Sequence, residues 1–218
     1  MFKFILTAVI ALCTQVAMAD GTFNYSGLIA NGGFVKRGLE DTDQELVASN
    51  IGLTLNNELS NQFFLSLSLG HQVIDDDIYY DGVYGQFAGT STSVSLGLGR
   101  YFSVNPLLDV YFSGGIILSR YNTDALFTDA FGNSLYIEES ESDSAIGATL
   151  AARMLLNSNG KVELMPRLQL TSNEGESDTS AGMAIALNTS KKLSFGFSFD
   201  TSLKEDVTAF GLFGRLYF

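Results

Sequence analysis

Apolar residues recur at every second position over most of the chain, which is the period of a β-strand and not of a helix. The clearest run sets Leu193, Phe195, Phe197 and Phe199 against Ser194, Gly196, Ser198 and Asp200, so one face is hydrocarbon and the other is small and polar. The last residues repeat the pattern, with Phe210, Leu212, Gly214, Leu216 and Phe218 on one face and Gly211, Phe213, Arg215 and Tyr217 on the other. Ten such segments are predicted, at 22–35, 45–56, 62–74, 91–102, 107–120, 144–157, 161–172, 179–189, 192–202 and 207–218. Each meets the roughly 9–11 residues that a tilted strand needs to cross a bilayer.

The links between them alternate in length, short at 57–61, 103–106, 158–160 and 189–191, longer at 36–44, 75–90, 121–143 and 173–178, with 203–206 a tight exception. That rhythm predicts antiparallel hairpins with one plain end, facing the periplasm, and one elaborated end, facing outward. The link Ser158-Asn159-Gly160 offers a check, because a three-residue hairpin loop favours glycine at its last, left-handed position. It sets Leu155 opposite Glu163 and Arg153 opposite Met165, keeping inward residues inward on both strands. The link 121–143 is more apolar than a solvated loop requires, through Leu126, Phe127, Phe131, Leu135, Tyr136 and Ile137, and reads as a hairpin packing on itself.

Residues 1–19 carry one charge at Lys3, an apolar run from Phe4 to Cys13 and a small-residue ending Ala17-Met18-Ala19, the pattern of a cleaved export signal. The mature domain is then expected at 20–218. Leu12 before Cys13 argues against lipid attachment, and without Cys13 the exported chain has no thiol for disulfide or redox chemistry. The net charge of −12 becomes −13 once Lys3 is gone, which excludes a nucleic-acid partner. Of the 24 carboxylates, 19 fall in or beside the outward links, while Lys161, Lys191 and Lys192 lie at the short turns. The acidity is a surface coat.

A soluble β-sandwich also alternates. Export, near-spanning strand lengths and the short/long rhythm together favour lipid contact, and closing the sheet removes the edges an open one must protect. There is no Trp to form interfacial belts, so Phe63, Tyr101, Phe102, Tyr217 and Phe218 are expected at the periplasmic rim, and Tyr79, Tyr80, Tyr84 and Tyr121 at the outer rim. With the Ala17-Met18-Ala19 ending, the strand around Ser95-Leu96-Gly97-Leu98-Gly99 and the terminal Phe210 to Phe218 strand, the chain resembles the small bacterial outer-membrane β-barrel proteins of porin-like or opacity type. The resemblance implies an all-β, antiparallel, up-and-down transmembrane barrel among outer-membrane lipid and lipopolysaccharide. It also implies recognition by the barrel-assembly machinery through the C-terminal strand, here Phe210, Leu212, Leu216 and Phe218. Many such proteins have eight strands. Eight is the alternative to ten, reached if the weaker segments 22–35 and 179–189 are not strands.

The register turns Asp109, Arg153, Glu163, Arg167, Asp200 and Arg215 inward, three acids and three bases, whose burial in a narrow lumen predicts ion pairs, with Arg153 or Arg167 as partner for Glu163. An eight-stranded barrel is just filled by side chains and ten strands add modest width, so no wide pore is expected. His71, beside Asp75-Asp76-Asp77, invites a hydrolase reading, but it shares the outward face of Leu65, Leu67 and Leu69, away from any cleft. Neither Asp75-Asp76-Asp77 nor Glu174-Gly175-Glu176-Ser177-Asp178 has calcium-loop spacing, and Gly97-Leu98-Gly99 lies within a strand, where it signals no nucleotide site. The expectation is a monomer without enzyme activity, metal or cofactor, in a structural or surface-interaction role through acidic outer loops. A narrow solute pore and a barrel hydrolase acting on lipid A or peptides are the alternatives.

Overall fold

The alternation folds into ten antiparallel strands: β1 (Gly27–Gly38), β2 (Glu45–Glu58), β3 (Phe63–Tyr80), β4 (Val83–Asn105), β5 (Leu108–Thr128), β6 (Ser134–Leu155), β7 (Val162–Asn173), β8 (Glu176–Asn188), β9 (Leu193–Ser202) and β10 (Val207–Tyr217). The computed structural model describes residues 23–39, 44–59, 62–80, 83–156, 160–173 and 176–218. The predicted leader 1–19, most of the link 158–160 and Glu174 lie outside them. Each strand pairs with its neighbours in chain order, and β1 closes on β10 from Gly27↔Tyr217 to Arg37↔Val207. The count is ten, not eight: both weaker segments are paired on two sides, as β1 and β8.

Closure gives the sheet two faces and no core between layers. Every strand presents large apolar side chains outward, and Phe34, Ile51, Leu69, Leu96, Ile116, Ile146, Leu168, Ile185, Phe197 and Leu212, one from each, are 41–68% exposed. A sandwich would have buried them. An apolar girdle around the whole circumference, on a sheet with no free edge there, is the arrangement a bilayer requires.

The pairing Leu155↔Glu163 and a φ of 67° at Gly160 match the hairpin read from the sequence. Two expectations are corrected. The link 75–90 is largely strand, with β3 and β4 paired as far as Tyr80↔Val83; the hairpin expected within 121–143 is present, with β5 and β6 paired as far as Thr128↔Ser134. Strands β3 to β6 therefore run 18, 23, 21 and 22 residues against 10–14 in the others. They project as a four-stranded sheet beyond the far rim. Carboxylates are poor strand formers, but cross-strand neighbours decide, and Asp75, Asp76 and Asp77 stand opposite Ala88, Phe87 and Gln86. At the start of the chain, strand pairing begins at Gly27 rather than at 22; Phe23 and Tyr25 turn into the lumen and are buried.

The tip of the β5–β6 hairpin is set by Asp129, whose Oδ1 accepts the backbone N–H of Phe131 and of Asn133 while Oδ2 accepts the Asn133 side-chain amide, with Gly132 at a φ of 83°. The Asn133 side chain and the backbone N–H groups hold the Asp129 carboxyl below its ordinary pKa. A depressed carboxylate pKa stabilises the turn above the ordinary carboxylate range and ceases to do so as pH falls through it. The protection of the Phe131 to Asn133 amides, taken relative to their intrinsic exchange rate at each pH, should therefore fall as pH drops through and below the ordinary carboxylate range, and Asp129→Ala should show the low protection already at neutral pH. At the seam, a Cβ on Gly33 would lie 1.9 Å from the Phe210 carbonyl oxygen, whereas one on Gly114 would find its nearest neighbour at 3.6 Å. Gly33→Ala should reduce the fraction of protein showing the fast gel mobility of an unboiled closed barrel; Gly114→Ala should not.

Candidate functional site

The inward face is divided. On β2 to β5 it is mainly small and hydroxylic, with Thr54, Ser66, Ser68, Ser95, Gly97 and Ser113, and Glu58 and Asp109 buried at its terminal end; on β6, β7, β9 and β10 it carries the paired charges. Between the two walls lies a cavity of about 370 Å³ that Tyr25, Phe64 and Tyr111 also line.

Arg153 on β6 meets Glu163 on β7 through two bonds, Nε to Oε1 at 2.6 Å and Nη2 to Oε2 at 3.2 Å. Its Nη2 also donates to the Tyr217 hydroxyl at 3.0 Å, and Nη1 donates to the Asn24 carbonyl at 2.9 Å. The guanidinium lies 4.9 and 5.0 Å from the ring centres of Phe23 and Tyr25. One side chain thus joins β6, β7, β10 and the segment before β1. Arg215 adds a longer contact to Glu163 at 3.4 Å, and its Nη2 reaches the Met165 sulfur. The Glu163 side chain is 1% exposed, so its charge depends on these two arginines.

Arg167 finds Asp200, not Glu163: its Nε donates at 2.7 Å and its Nη2 donates to the other carboxylate oxygen. The pair spans two strands. Arg167 on β7 and Asp200 on β9 are both in register with Gly182 on the intervening β8, where a Cβ would fall 1.8 Å from Asp200 Oδ1. Glycine there leaves the room the bridge occupies. Asp109, the sixth of the set, is 1% exposed and directly opposite Arg153 in register, yet among the described residues it forms no ion pair within 4 Å and its Oδ2 has no hydrogen-bond partner.

Several residues at this end escaped the sequence reading. Tyr25 stacks on Tyr101 at 4.2 Å between centroids and 4° between planes, and on Phe64 at 5.3 Å, with Tyr111 edge-on to both Tyr25 and Phe64. Tyr101 donates to buried Glu58. Tyr101 and Tyr217 do lie at the terminal end, but they turn inward and contribute nothing to a lipid belt; Phe102, 41% exposed, faces outward there, with Arg100 over its ring and that of Phe63. The usable signal was parity, since Tyr101 falls in step with Ser95, Gly97 and Gly99.

His71 is exposed on the outward face, its Nδ1 3.0 Å from Thr92 Oγ1. No carboxylate contacts it among the described residues. Phe210, Leu212 and Leu216 point outward from β10, and Phe218 follows it, its carbonyl accepting the Asn24 amide at 3.2 Å.

No family model matches the chain, and no curated protein matches it in sequence. Solved structures do. The translocator domain of the autotransporter NalP from Neisseria meningitidis shares 9% identity at a TM-score of 0.58, over 99% of this chain and 95% of that one. The fold is that of the bacterial outer-membrane β-barrels. The β domain of the Bordetella autotransporter BrkA is similar at 15% identity and a TM-score of 0.55, covering 89% and 100%, and the NanC porin at 9% and 0.51, covering 88% and 100%. At such identities the likeness is one of architecture. Together with the apolar girdle it places the chain in the outer membrane.

Removing one partner of the buried pair should cost more than removing both. Arg153→Ala strands Glu163 with only the longer Arg215 contact and is expected to destabilise the barrel by about 3–5 kcal/mol in denaturant unfolding from lipid vesicles. Arg153→Met combined with Glu163→Leu should recover most of that loss.

Proposed function

We propose that this outer-membrane barrel is a monomeric structural and surface-interaction protein, its lumen closed toward the periplasm and its contacts with the surroundings made by the acidic sheet beyond the outer rim. One observation carries the reading. Residues 23–26 leave the wall and fill the lumen at the terminal end, held by the Tyr25 stack and by Arg153. The six charges Asp109, Arg153, Glu163, Arg167, Asp200 and Arg215 serve as lumen packing and not as a solute track, since five of them are taken up in mutual pairs. Residues 1–19 are the export signal and 20–218 the barrel domain; Phe210, Leu212, Leu216 and Phe218 present the terminal strand to the assembly machinery. His71, at the lipid-facing surface with a threonine for partner, is not a catalytic base in this reading.

The hydroxyl-lined cavity favours a second reading, a narrow solute pore, in which residues 23–26 would be displaced. Planar-bilayer recording decides between the two. The wild-type barrel is expected to show no discrete conductance steps, and the double variant Phe23→Gly with Tyr25→Gly to show them. Large, stable steps from the wild type would overturn the closed-lumen reading and establish the pore.

A further inference from the structure

The projecting sheet has two boundaries, and they are finished differently. On β3 the edge is capped: Gln44 Oε1 accepts Tyr79 N–H at 3.0 Å, and Asp76 Oδ2 accepts Val47 N–H at 2.8 Å. On β6, residues 134–145 pair with β5 on one side, while among the described residues pairing with β7 begins at Ile146↔Ser172. Near the base of this open stretch Asn173 donates to Asp143; from Ser134 to Ser142 every residue is exposed. A row of main-chain donors and acceptors is left facing water, the template to which an added strand binds.

The side chains along this edge are ordered. On the side that continues the lumen wall come Leu135 and Ile137, in register with Phe127 and Ala125 of β5, and then Glu139, Glu141 and Asp143. Leu135 and Ile137 are 60% and 44% exposed, although Phe127 beside them is packed edge-on against Phe87 at 5.3 Å. Glu139 and Glu141 are in no ion pair among the described residues. Charge alone would serve to keep an open edge from pairing. Protection gives no reason for two aliphatic side chains exposed on the same edge, whereas a strand-shaped site with an apolar and an anionic half does.

We propose that the Ser134–Asp143 edge of β6 docks an extended cationic peptide segment by strand addition, with apolar side chains beside Leu135 and Ile137 and Lys or Arg at the alternate positions beside Glu139 and Glu141. The proposal rests on the surface-interaction reading and names its partner class. A second copy of this edge is disfavoured, because like carboxylates would face one another across the new pair. The net charge of −12 further selects a cationic partner and speeds its approach.

The test is fluorescence anisotropy with the full barrel in lipid nanodiscs and a labelled ten-residue peptide bearing lysine at three alternate positions, valine at the next two and threonine between. Saturable binding is expected, weakened roughly tenfold by Glu139→Gln with Glu141→Gln, the loss of two partly screened ion pairs. Two further peptides, N-methylated at alternate backbone nitrogens in one phase or the other, report on strand addition without altering the protein. One phase should abolish binding and the other preserve it, because only one set of N–H groups points at β6. Equal binding by both phases, or none by the parent peptide, overturns the proposal. Bilayer recording on the same preparation keeps the two readings apart: conduction sinks the closed, surface-interaction barrel, while a silent barrel that ignores the peptide sinks only the edge assignment.

Discussion

In hydrocarbon no water is available to satisfy a backbone N–H or C=O, so a sheet that crosses a bilayer must leave no edge. That requirement makes the β1–β10 seam the condition for everything else in this chain. Its register, eleven residue pairs from Gly27↔Tyr217 to Arg37↔Val207, fixes which residues of the last strand face lipid and which face the lumen. Shifting it by one residue would expose Arg215 and Tyr217 to acyl chains and turn Leu212 and Leu216 inward. The narrow approach of Gly33 to the Phe210 carbonyl shows how tightly that register is held.

Closure also explains why the charges lie where they do. A side chain excluded from the lipid face has only the lumen, and a ten-stranded lumen is too narrow to hydrate six charges freely. They are therefore drawn into pairs, and the wall adjusts to let the pairs form: small residues stand wherever a long side chain must pass. Gly182 lies under the Arg167–Asp200 bridge, and Ala186, fully buried, is in register with both Glu163 and Gly196. Arg153 binds the Asn24 carbonyl, so the same electrostatic demand that neutralises Glu163 also draws the first described residues off the wall and into the lumen.

The barrel was legible in the sequence because lipid and lumen impose opposite polarity on alternate residues, a signal repeated in every strand. Strand number, chain-order pairing and the Leu155↔Glu163 register all followed from it. The lumen floor did not. Phe23 and Tyr25 alternate like a strand, and nothing local distinguishes an aromatic ring that faces lipid from one that stacks on Tyr101 across the lumen. The identity of the pairs was legible only in part, because the Arg167–Asp200 bridge depends on β8 lying between two strands far apart in sequence. The projecting β3–β4 hairpin was missed for a different reason. Asp75-Asp76-Asp77 carries the composition of a loop, yet Asp81-Gly82, just two residues between paired Tyr80 and Val83, was the hairpin signal that outranked it.

Beyond the rim the constraint that organised the barrel no longer applies, and water can satisfy an open strand edge. Strands β3 to β6 use that freedom to continue as a sheet for 18 to 23 residues where the other six end after 10 to 14. The continuation is not an economical way to make a turn, since Asp129 and its partners close the β5–β6 hairpin in five residues and would have done so equally well at the rim. Extra length must therefore be stabilised by what the extension itself packs and bonds: the Phe87–Phe127 contact and buried Ala125 on one face, with Tyr136 donating to Asp124 and Ser140 to Asn122 across the β5–β6 pair. The open β6 edge is tied back to the barrel near Asp143, where Asn173 donates to the carboxylate, so an added strand would meet the carboxylates where the template is anchored and the aliphatic pair nearer the tip.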